Sequence, residues 1–401
     1  MARRSGARWL ACLLLAAVDA RAAFFTGLGD LPGGATFSEA FGVSADGQVV
    51  AGVSSSSVSS LEPFRWTQRG GMQGLGLAPH ASAASCNAVS GDGSAIVGGM
   101  IGGDSQAYRW TEAAGFESLG TLAGGISEAL GISADGSVIV GASSLTGGEA
   151  FRWTASDGMK PLGFLPGGVF STAQGVSDDG EVVVGYGDSS HTTSEPVGKD
   201  EAFRWTASDG MLHSLGDLAG GYFNSRAFGV SRDGKVAVGE SESGAGIDAI
   251  RYAGSMESLG DFDATAFAAS RDGSVIVGGA VFRAGHAQEA FVWDASDGLR
   301  RLADVLAGTP ALAHWTLGPA RGVSADGNTL VGWGTDPAGH TQAWLAQLPE
   351  PDAALLQGGA LGALALLAAR RARAAAQRPC FICRRIDSDF SSSASGIRPA
   401  R

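Results

Sequence analysis

The sequence predicts an all-β protein, a seven-bladed β-propeller whose blades are four-stranded antiparallel sheets. Three observations predict this fold: the pattern Ser-x-Asp-Gly recurs seven times, each repeat holds four short strand-like segments, and the two ends of the repeat region complete one another. The composition agrees, because 63 glycines with only 13 prolines are typical of a turn-rich folded chain rather than a collagen-like or proline-rich disordered one. A β-solenoid is the structural alternative.

The spacing of the Ser-x-Asp-Gly pattern sets the size of the repeat. The seven copies begin at Ser44, Ser90, Ser133, Ser177, Ser231, Ser270 and Ser324. Successive copies are 46, 43, 44, 54, 39 and 54 residues apart. A period of about 45 residues is that of a four-stranded propeller blade, and no long segment has the 3.6-residue hydrophobic period of a helix.

The third repeat shows the predicted blade most completely. Its four strands are predicted at residues 129–133, 137–141, 149–154 and 159–165. Asp135 and Gly136 form the first turn, since an aspartate side chain can accept local backbone hydrogen bonds and glycine can take a positive φ. Four consecutive strands joined by such turns form an antiparallel meander.

Two strands of each repeat are predicted to be buried. The second strand is apolar at consecutive positions, as in Val138 to Val140, which predicts cover on both faces. In the third strand Phe151 and Trp153 share one face, and the same aromatic pair recurs in other repeats. A sugar-stacking surface is the alternative, but recurrence at one fixed strand position favours a core between stacked blades.

The two ends of the repeat region predict a closed ring. The seventh repeat has three strands and stops before Pro349, whereas residues 24–34 match the missing fourth strand and its trailing glycines. Pairing the two ends would complete the last blade and leave only short, protected sheet edges.

The repeats GVSxDGxVVVG, EAFRWT and MxxLGxL resemble the extracellular HAF repeats, over nearly all of residues 24–346. Glutamate or glutamine stands in the His position of that motif, at Glu149, Glu201, Glu289, Gln106 and Gln342. The resemblance implies an extracellular location. It implies no particular reaction, and no catalytic, cofactor or metal-binding residue is predicted.

The N-terminus has the pattern of a secretory signal peptide. Arginines precede an apolar run of residues 9–18, and Ala20 and Ala22 form a small-x-small cleavage site, so residues 1–22 are predicted to be removed on export. The apolar run is too short for a membrane anchor. Ordinary export is favoured over the twin-arginine route, which needs more than the pair Arg3 and Arg4.

The C-terminus has a second targeting pattern in residues 349–373. An apolar stretch at 353–369 is long enough to span a bilayer. It is bounded by Pro349, Glu350 and Pro351 on one side and by Arg370, Arg371 and Arg373 on the other. This order resembles the PEP-CTERM sorting signal of Gram-negative bacteria, which implies processing by an exosortase-type enzyme and an origin in a biofilm-forming organism. Residues 374–401 are predicted to be a disordered polar tail, whose Cys380 and Cys383 have no second pair to complete a zinc site.

The charge distribution excludes a nucleic-acid partner. The net charge of -12 combines two basic ends with a body, residues 23–348, that has 16 basic and 35 acidic side chains and thus a charge of -19. Such a surface repels phosphate backbones.

The candidate binding site is the rim of the ring that carries the loops of variable length. The two longest insertions, 186–200 and 307–320, are predicted at the same end, where binding residues on rigid scaffolds usually lie. The candidate residues there are Asp188, His191, Asp200, His286, His314 and His340, with His80, Glu195 and Asp336 at the same end.

The predicted function is an exported, non-catalytic protein of the cell surface or biofilm matrix that binds a polysaccharide or surface protein through this rim. Solvated loops without a ligand, on a purely structural scaffold, are one alternative. A propeller-based glycan lyase or hydrolase is the other, although the nucleophile elbow, HExxH, P-loop and GxGxxG motifs are absent from the sequence. The aspartates of Ser-x-Asp-Gly are interpreted as turn residues rather than calcium ligands, because each belongs to a different blade.

Overall fold

The computed structural model describes residues 22–103, 105–144, 148–191, 200–260 and 263–349. Within these residues the chain forms seven antiparallel sheets, one for each predicted repeat. The seven-bladed propeller is therefore confirmed, and the solenoid alternative is excluded by the closed ring described below.

Each blade is a meander, and blades are numbered here from the N-terminus. Blade 1 comprises Gly33–Val43, Val49–Ser56, Glu62–Thr67 and Gly71–Gly74. Blade 2 comprises Ala83–Ala84, Ala88–Val89, Ala95–Ile101, Ala107–Thr111 and Gly115–Gly120. Blade 3 comprises Ile126–Ile132, Val138–Ser144, Glu149–Thr154 and Gly158–Gly163. Blade 4 comprises Ser171–Val176, Val182–Gly187, Glu201–Thr206 and Leu212–Gly216.

The remaining blades follow the same order. Blade 5 comprises Gly220–Val230, Ala237–Ser243, Gly246–Tyr252 and Met256–Ser258. Blade 6 comprises Ala264–Ala269, Val275–Ala280, Glu289–Asp294 and Gly298–Arg301. Blade 7 comprises Thr316–Val323, Thr329–Thr335, Thr341–Gln347 and, from the N-terminus, Phe24–Gly27. A short α-helix, Leu302–Val305, and a 3-10 turn, Pro310–Leu312, connect blades 6 and 7.

The N-terminal strand closes the ring as predicted. Phe24–Gly27 pairs antiparallel with Thr341–Gln347, which places Phe25 opposite Ala346. The Phe25 ring is 2% exposed and lies edge-on to Trp315, with ring centroids 5.2 Å apart. The first and last strands of the ring are thus joined by both backbone pairing and a buried aromatic contact.

A belt of backbone hydrogen bonds joins all seven blades at the Ser-x-Asp-Gly turns. In each blade an amide of the turn donates to a turn carbonyl of the next blade, at distances from 2.8 to 3.1 Å. The pairs are Ala45 to Gly91, Asp92 to Ala134, Ala134 to Asp178, Asp178 to Arg232, Asp233 to Arg271, Arg271 to Ala325 and Ala325 to Ala45. The last pair returns to blade 1, so the belt is closed and the first strand of each blade lies at the centre of the ring.

The core lies between neighbouring blades. Ile139 and Val140 of the second strand are 0% exposed, and the aromatic side chains Phe151 and Trp153 are 0% and 8% exposed. Equivalent phenylalanines in other blades are likewise buried, which supports the interpretation of the aromatic pair as core. Each blade therefore buries its apolar side chains by stacking on the next, as repeat proteins require.

The first strand of a blade carries a β-bulge that sequence reasoning did not foresee. In blade 3 the pairing register shifts between Ala129 and Gly131, so Leu130 has no partner on the second strand. Equivalent shifts occur in blades 1, 4, 5, 6 and 7, and in blade 2 the first strand is interrupted at the same place. A bulged residue is turned out of the sheet, here toward the axis of the ring.

Candidate functional site: the variable-loop face and the channel

The two faces of the ring differ because the strands of a meander alternate in direction. The Ser-x-Asp-Gly turns and the turns between third and fourth strands lie on one face, the tight-turn face. The connections from second to third strands and from each blade to the next lie on the other, the variable-loop face. The insertion in blade 4 and the one between blades 6 and 7 are both on the variable-loop face.

The tight-turn face is held by one repeated hydrogen-bond pattern. In blade 3 the buried Ser133 hydroxyl donates to Asp135 Oδ1, 2.9 Å away, and accepts the amide hydrogen of Val138 at 3.0 Å. Hydrogen bonds from Ser137 and Ser133 hold the pKa of Asp135 below its usual value. Gly136 has a φ of 70°, as its turn role requires. The Ser133 hydroxyl and Asp135 Oδ1 are therefore both engaged within the turn.

The predicted rim residues that the structure describes lie on the variable-loop face but are spread over several blades, and Glu195 lies outside the described residues. His191 and Asp188 follow the second strand of blade 4, and Asp200 precedes its third strand. His286 and His340 lie at the corresponding places in blades 6 and 7, and His314 lies in the connection between those blades. In the described part of the chain, no group of three or more His, Cys, Asp or Glu side chains is placed to hold a metal ion.

Several of these rim residues bind neighbouring parts of the chain. Asp188 Oδ1 accepts the amides of Val169 and Phe170 at 2.8 and 2.7 Å. His191 Nδ1 lies 3.1 Å from Oε2 of the buried Glu201. Their role as ligand-binding residues therefore stays a prediction.

Asp200 and Asp336 on this face also have partners within the chain. Arg226 Nε donates a hydrogen bond to Asp200 Oδ2 at 2.7 Å. Burial lowers the pKa of Arg226, but this hydrogen bond and the negative charges of Asp200 and Glu240 raise it by more, so the net shift is upward. Asp336 Oδ1 accepts the His340 amide at 2.8 Å.

Two adjoining pockets form a groove on the variable-loop face of blades 2 and 3. The first has a volume of about 370 Å³ and the second of about 390 Å³. Met100 and Ser105 line both pockets, which makes them one continuous depression. We call this depression the blade 2–3 groove.

The blade 2–3 groove combines apolar and polar side chains. Ile101 and Ile126 remain 44% and 57% exposed although both belong to strands. Phe116 lines the second pocket, next to the buried ring of Tyr108 at a centroid distance of 4.9 Å. On the floor side, Glu128 accepts a hydrogen bond from Asn87 Nδ2 at 2.9 Å. An apolar cleft with a few fixed polar groups is the usual form of a ligand site.

The backbone of the groove is held in an unusual conformation. Three non-glycine residues of the described chain have a positive φ, His80, Ser105 and His314, and the first two line the groove. Side chains with a Cβ rarely occupy that region, and such residues are concentrated at functional sites. The groove also lies where the first strand of blade 2 is interrupted, between Ala83–Ala84 and Ala88–Val89.

The centre of the ring is a channel lined by the bulged residues. All of the lining side chains are half-buried: Phe41, Asn87, Leu130, Gln174, Phe228, Phe267 and Arg321. Contacts between successive blades connect them, since the rings of Phe228 and Phe267 are 5.7 Å apart and the Arg321 guanidinium lies 3.9 Å from the centre of the Phe267 ring. The channel therefore has an aromatic wall in blades 5 and 6.

The channel is narrowed at the tight-turn face by a charged cluster. Arg232 of blade 5 forms an ion pair with Asp178 at 3.2 Å and donates across the ring to the Val43 carbonyl of blade 1 at 3.3 Å. Arg271 adds a second ion pair to Asp178, at 3.4 Å. A ligand would therefore enter the channel from the variable-loop face.

The targeting predictions fall mostly outside the described residues. Ala22 and Pro349 are described and exposed, whereas Ala20 and the sorting residues from Glu350 onward are not. No helix within the described ranges is long and apolar enough to span a bilayer, and the predicted span at 353–369 lies outside them. Cys86 is buried and unpaired, in the position that alanine occupies in the other blades.

Comparison with known proteins identifies similar structures but no family. No protein-family model matches the chain, and no curated protein sequence matches it significantly. A protein from Agrobacterium tumefaciens assigned as TolB is similar with a TM-score of 0.43 and 17% identity, over 69% of this chain and 94% of that one. TolB from Acinetobacter baumannii has a TM-score of 0.38 and 14% identity, over 72% and 77%. The β-propeller domain of the Trilobed protease from Pyrococcus furiosus has a TM-score of 0.44 and 12% identity, over 65% and 82%.

Proposed function

We propose that this protein is an exported ligand-binding propeller of the cell surface or extracellular matrix of a Gram-negative bacterium, and that it binds polysaccharide in the blade 2–3 groove. The observation that carries the proposal is the groove itself, where exposed isoleucines, an aromatic ring and fixed polar groups line one depression. A sugar ring presents an apolar C–H face and a rim of hydroxyls, which such a lining complements.

The rest of the ring supports a binding role on this face. The Ser and Asp side chains of Ser-x-Asp-Gly hydrogen-bond within the turn, and the turn backbones form the belt, so both stabilise the tight-turn face. The variable-loop face carries the insertions and the groove. A rigid base with variable loops opposite is the usual arrangement of a binding scaffold.

The test is the retention of full-length protein on the extracellular polysaccharide of the producing organism. Ile126→Asp places a charge in the groove and is expected to weaken binding at least about tenfold, since it removes apolar contact and adds a desolvation cost. Val169→Asp is the matched control, because Val169 is 74% exposed in another connection on the same face. Equal binding by both variants would contradict the proposal.

The same assay separates binding from catalysis. We expect the polysaccharide to keep its chain length after incubation with the protein, as judged by size-exclusion chromatography. Shortened chains would show a glycan-degrading enzyme instead.

Export and C-terminal processing need a separate measurement. One epitope tag is placed before Pro349 and another after Arg401, and cell fractions are probed for both. We expect the first tag at the cell surface or in the matrix without the second, because an exosortase-type enzyme would remove the end of the chain. Retention of both tags in the cytoplasm would contradict the proposed export.

A further inference from the structure

Arg321 differs from the other arginines near the axis because it makes no hydrogen bond or close ion pair with a described residue. Arg226 is paired with Asp200 and Glu240, and both Arg232 and Arg271 are paired with Asp178. No described residue accepts a hydrogen bond from Arg321, and its Nε is buried without a partner. The buried Nε cannot itself serve a ligand, and Arg109, Arg251 and Arg300 have the same feature. The terminal nitrogens of Arg321 are not among these buried atoms, so an acceptor from outside the chain can reach them.

The orientation of Arg321 leaves its donors available. The guanidinium Cζ lies over the Phe267 ring, 3.9 Å from its centre. A cation–π contact of this kind uses none of the N–H donors of the guanidinium in a hydrogen bond. Those donors form a fork that matches the two oxygens of a carboxylate.

The surroundings of Arg321 select the size and charge of the partner. Phe267 and Phe228 provide an apolar wall on one side, with ring centroids 5.7 Å apart. The half-buried Glu39 also interacts electrostatically with Arg321, and burial raises the pKa of this carboxyl group. A multiply charged anion would be repelled by Glu39, whereas a single carboxylate on an apolar body would suit both walls.

We infer that the channel is a second ligand site, independent of the blade 2–3 groove, in which Arg321 binds the carboxylate of a small organic acid whose apolar or aromatic body packs against Phe228 and Phe267. The acid enters from the variable-loop face, because the Arg232 and Asp178 cluster narrows the opposite end. Glu39 weakens binding through its charge and restricts the site to monoanions.

Isothermal titration calorimetry on the full-length protein tests this assignment with benzoate and its neutral analogue benzamide. We expect saturable binding of benzoate and at least about tenfold weaker binding of benzamide, which cannot accept the charge-assisted bidentate pair. This comparison needs no variant and is unaffected by any change in folding. Equal binding of the two compounds, or no saturable binding of benzoate, would overturn the assignment.

Variants locate the site. Arg321→Gln is expected to weaken benzoate binding at least about tenfold, whereas the matched control Arg283→Gln, an exposed arginine of the same face, leaves it unchanged. Glu39→Gln is expected to strengthen binding, because it removes the opposing charge. Unchanged affinity in Arg321→Gln protein that melts like the wild type would place the carboxylate elsewhere.

Two further arms identify the ligand chemistry and separate this inference from the proposed function. Tighter binding of glucuronate than of benzoate would overturn the apolar part of the assignment and indicate a uronic acid instead. Ile126→Asp is expected to leave benzoate binding intact, since the groove lies in blades 2 and 3. Loss of benzoate binding in that variant would overturn the independence of the two sites.

Discussion

At the scale of single residues, the serine of Ser-x-Asp-Gly makes a hydrogen bond that its sequence context does not indicate. The turn roles of Asp135 and Gly136 follow from their residue types, and the structure confirms them. The role of Ser133 does not follow from its residue type. Its hydroxyl accepts a hydrogen bond from the backbone amide of Val138, five residues later and inside the blade. All seven serines make this contact. The recurrence of serine was visible in the sequence, but its partner was not.

Replacing this serine should destabilise the propeller. Ser133→Ala removes the acceptor of a buried amide and is expected to lower the free energy of unfolding by roughly 1–3 kcal/mol. Ser137→Ala is the matched control, because Ser137 donates to the same Asp135 oxygen from an exposed position and should cost less than about 1 kcal/mol. Chemical denaturation measures both. Equal losses would contradict the role assigned to the buried hydroxyl.

At the scale of the strand, the bulge in the first strand explains why every repeat has a glycine at the same position of its second strand. The second strand of each blade ends its apolar run in glycine, as at Gly141. The bulge in the neighbouring first strand brings the carbonyl of Glu128 so close that a Cβ on Gly141 would lie 1.9 Å from it. In most blades the third-strand aromatic ring crowds the same point, as Phe203 does at Gly185. Strand existence and burial could thus be predicted from periodicity, whereas this contact depends on register.

Two consecutive glycines in blade 2 test this account. A Cβ on Gly98 would lie 2.2 Å from the Ser85 carbonyl oxygen, whereas the nearest atoms to one on Gly99 belong to the flexible Glu128 side chain at 3.2 Å and the Ser85 hydroxyl at 3.5 Å. Neither residue has a positive φ, so backbone strain does not distinguish them. Gly98→Ala is expected to lower the free energy of unfolding by at least about 2 kcal/mol through overpacking, and Gly99→Ala by less than about 1 kcal/mol. Similar melting temperatures for the two variants would contradict this explanation of the recurring contact at Gly98.

At the scale of the whole molecule, the ring could be predicted from the sequence and its binding surfaces could not. Because the last repeat lacks a fourth strand, residues 24–34 were predicted to complete the last blade, and Phe24–Gly27 does so. The belt, the channel and the blade 2–3 groove arise from contacts between blades, which no single repeat specifies. Ser105 and Met100 carry no motif, so the rim histidines were the residues that sequence reasoning could single out.

Ring closure gives a prediction at this scale. Phe25→Ala is expected to lower the free energy of unfolding by about 3–5 kcal/mol, because the buried ring packs against Trp315 and Trp344. Phe24, one residue earlier, is 42% exposed, and Phe24→Ala should cost less than about 1 kcal/mol. Denaturant unfolding followed by tryptophan fluorescence compares them. An unaffected Phe25→Ala protein would show that the N-terminal strand does not hold the ring closed.

The central claim is that ligand binding belongs to the variable-loop face. Hydrogen–deuterium exchange of the full-length protein, with and without the extracellular polysaccharide of the producing organism, tests it most directly. The account predicts slower exchange at 78–81, 100–103 and 126–128, which line the blade 2–3 groove, and unchanged exchange at the Ser-x-Asp-Gly turns. Protection of those turns, or no protection on the variable-loop face at saturating polysaccharide, would contradict it.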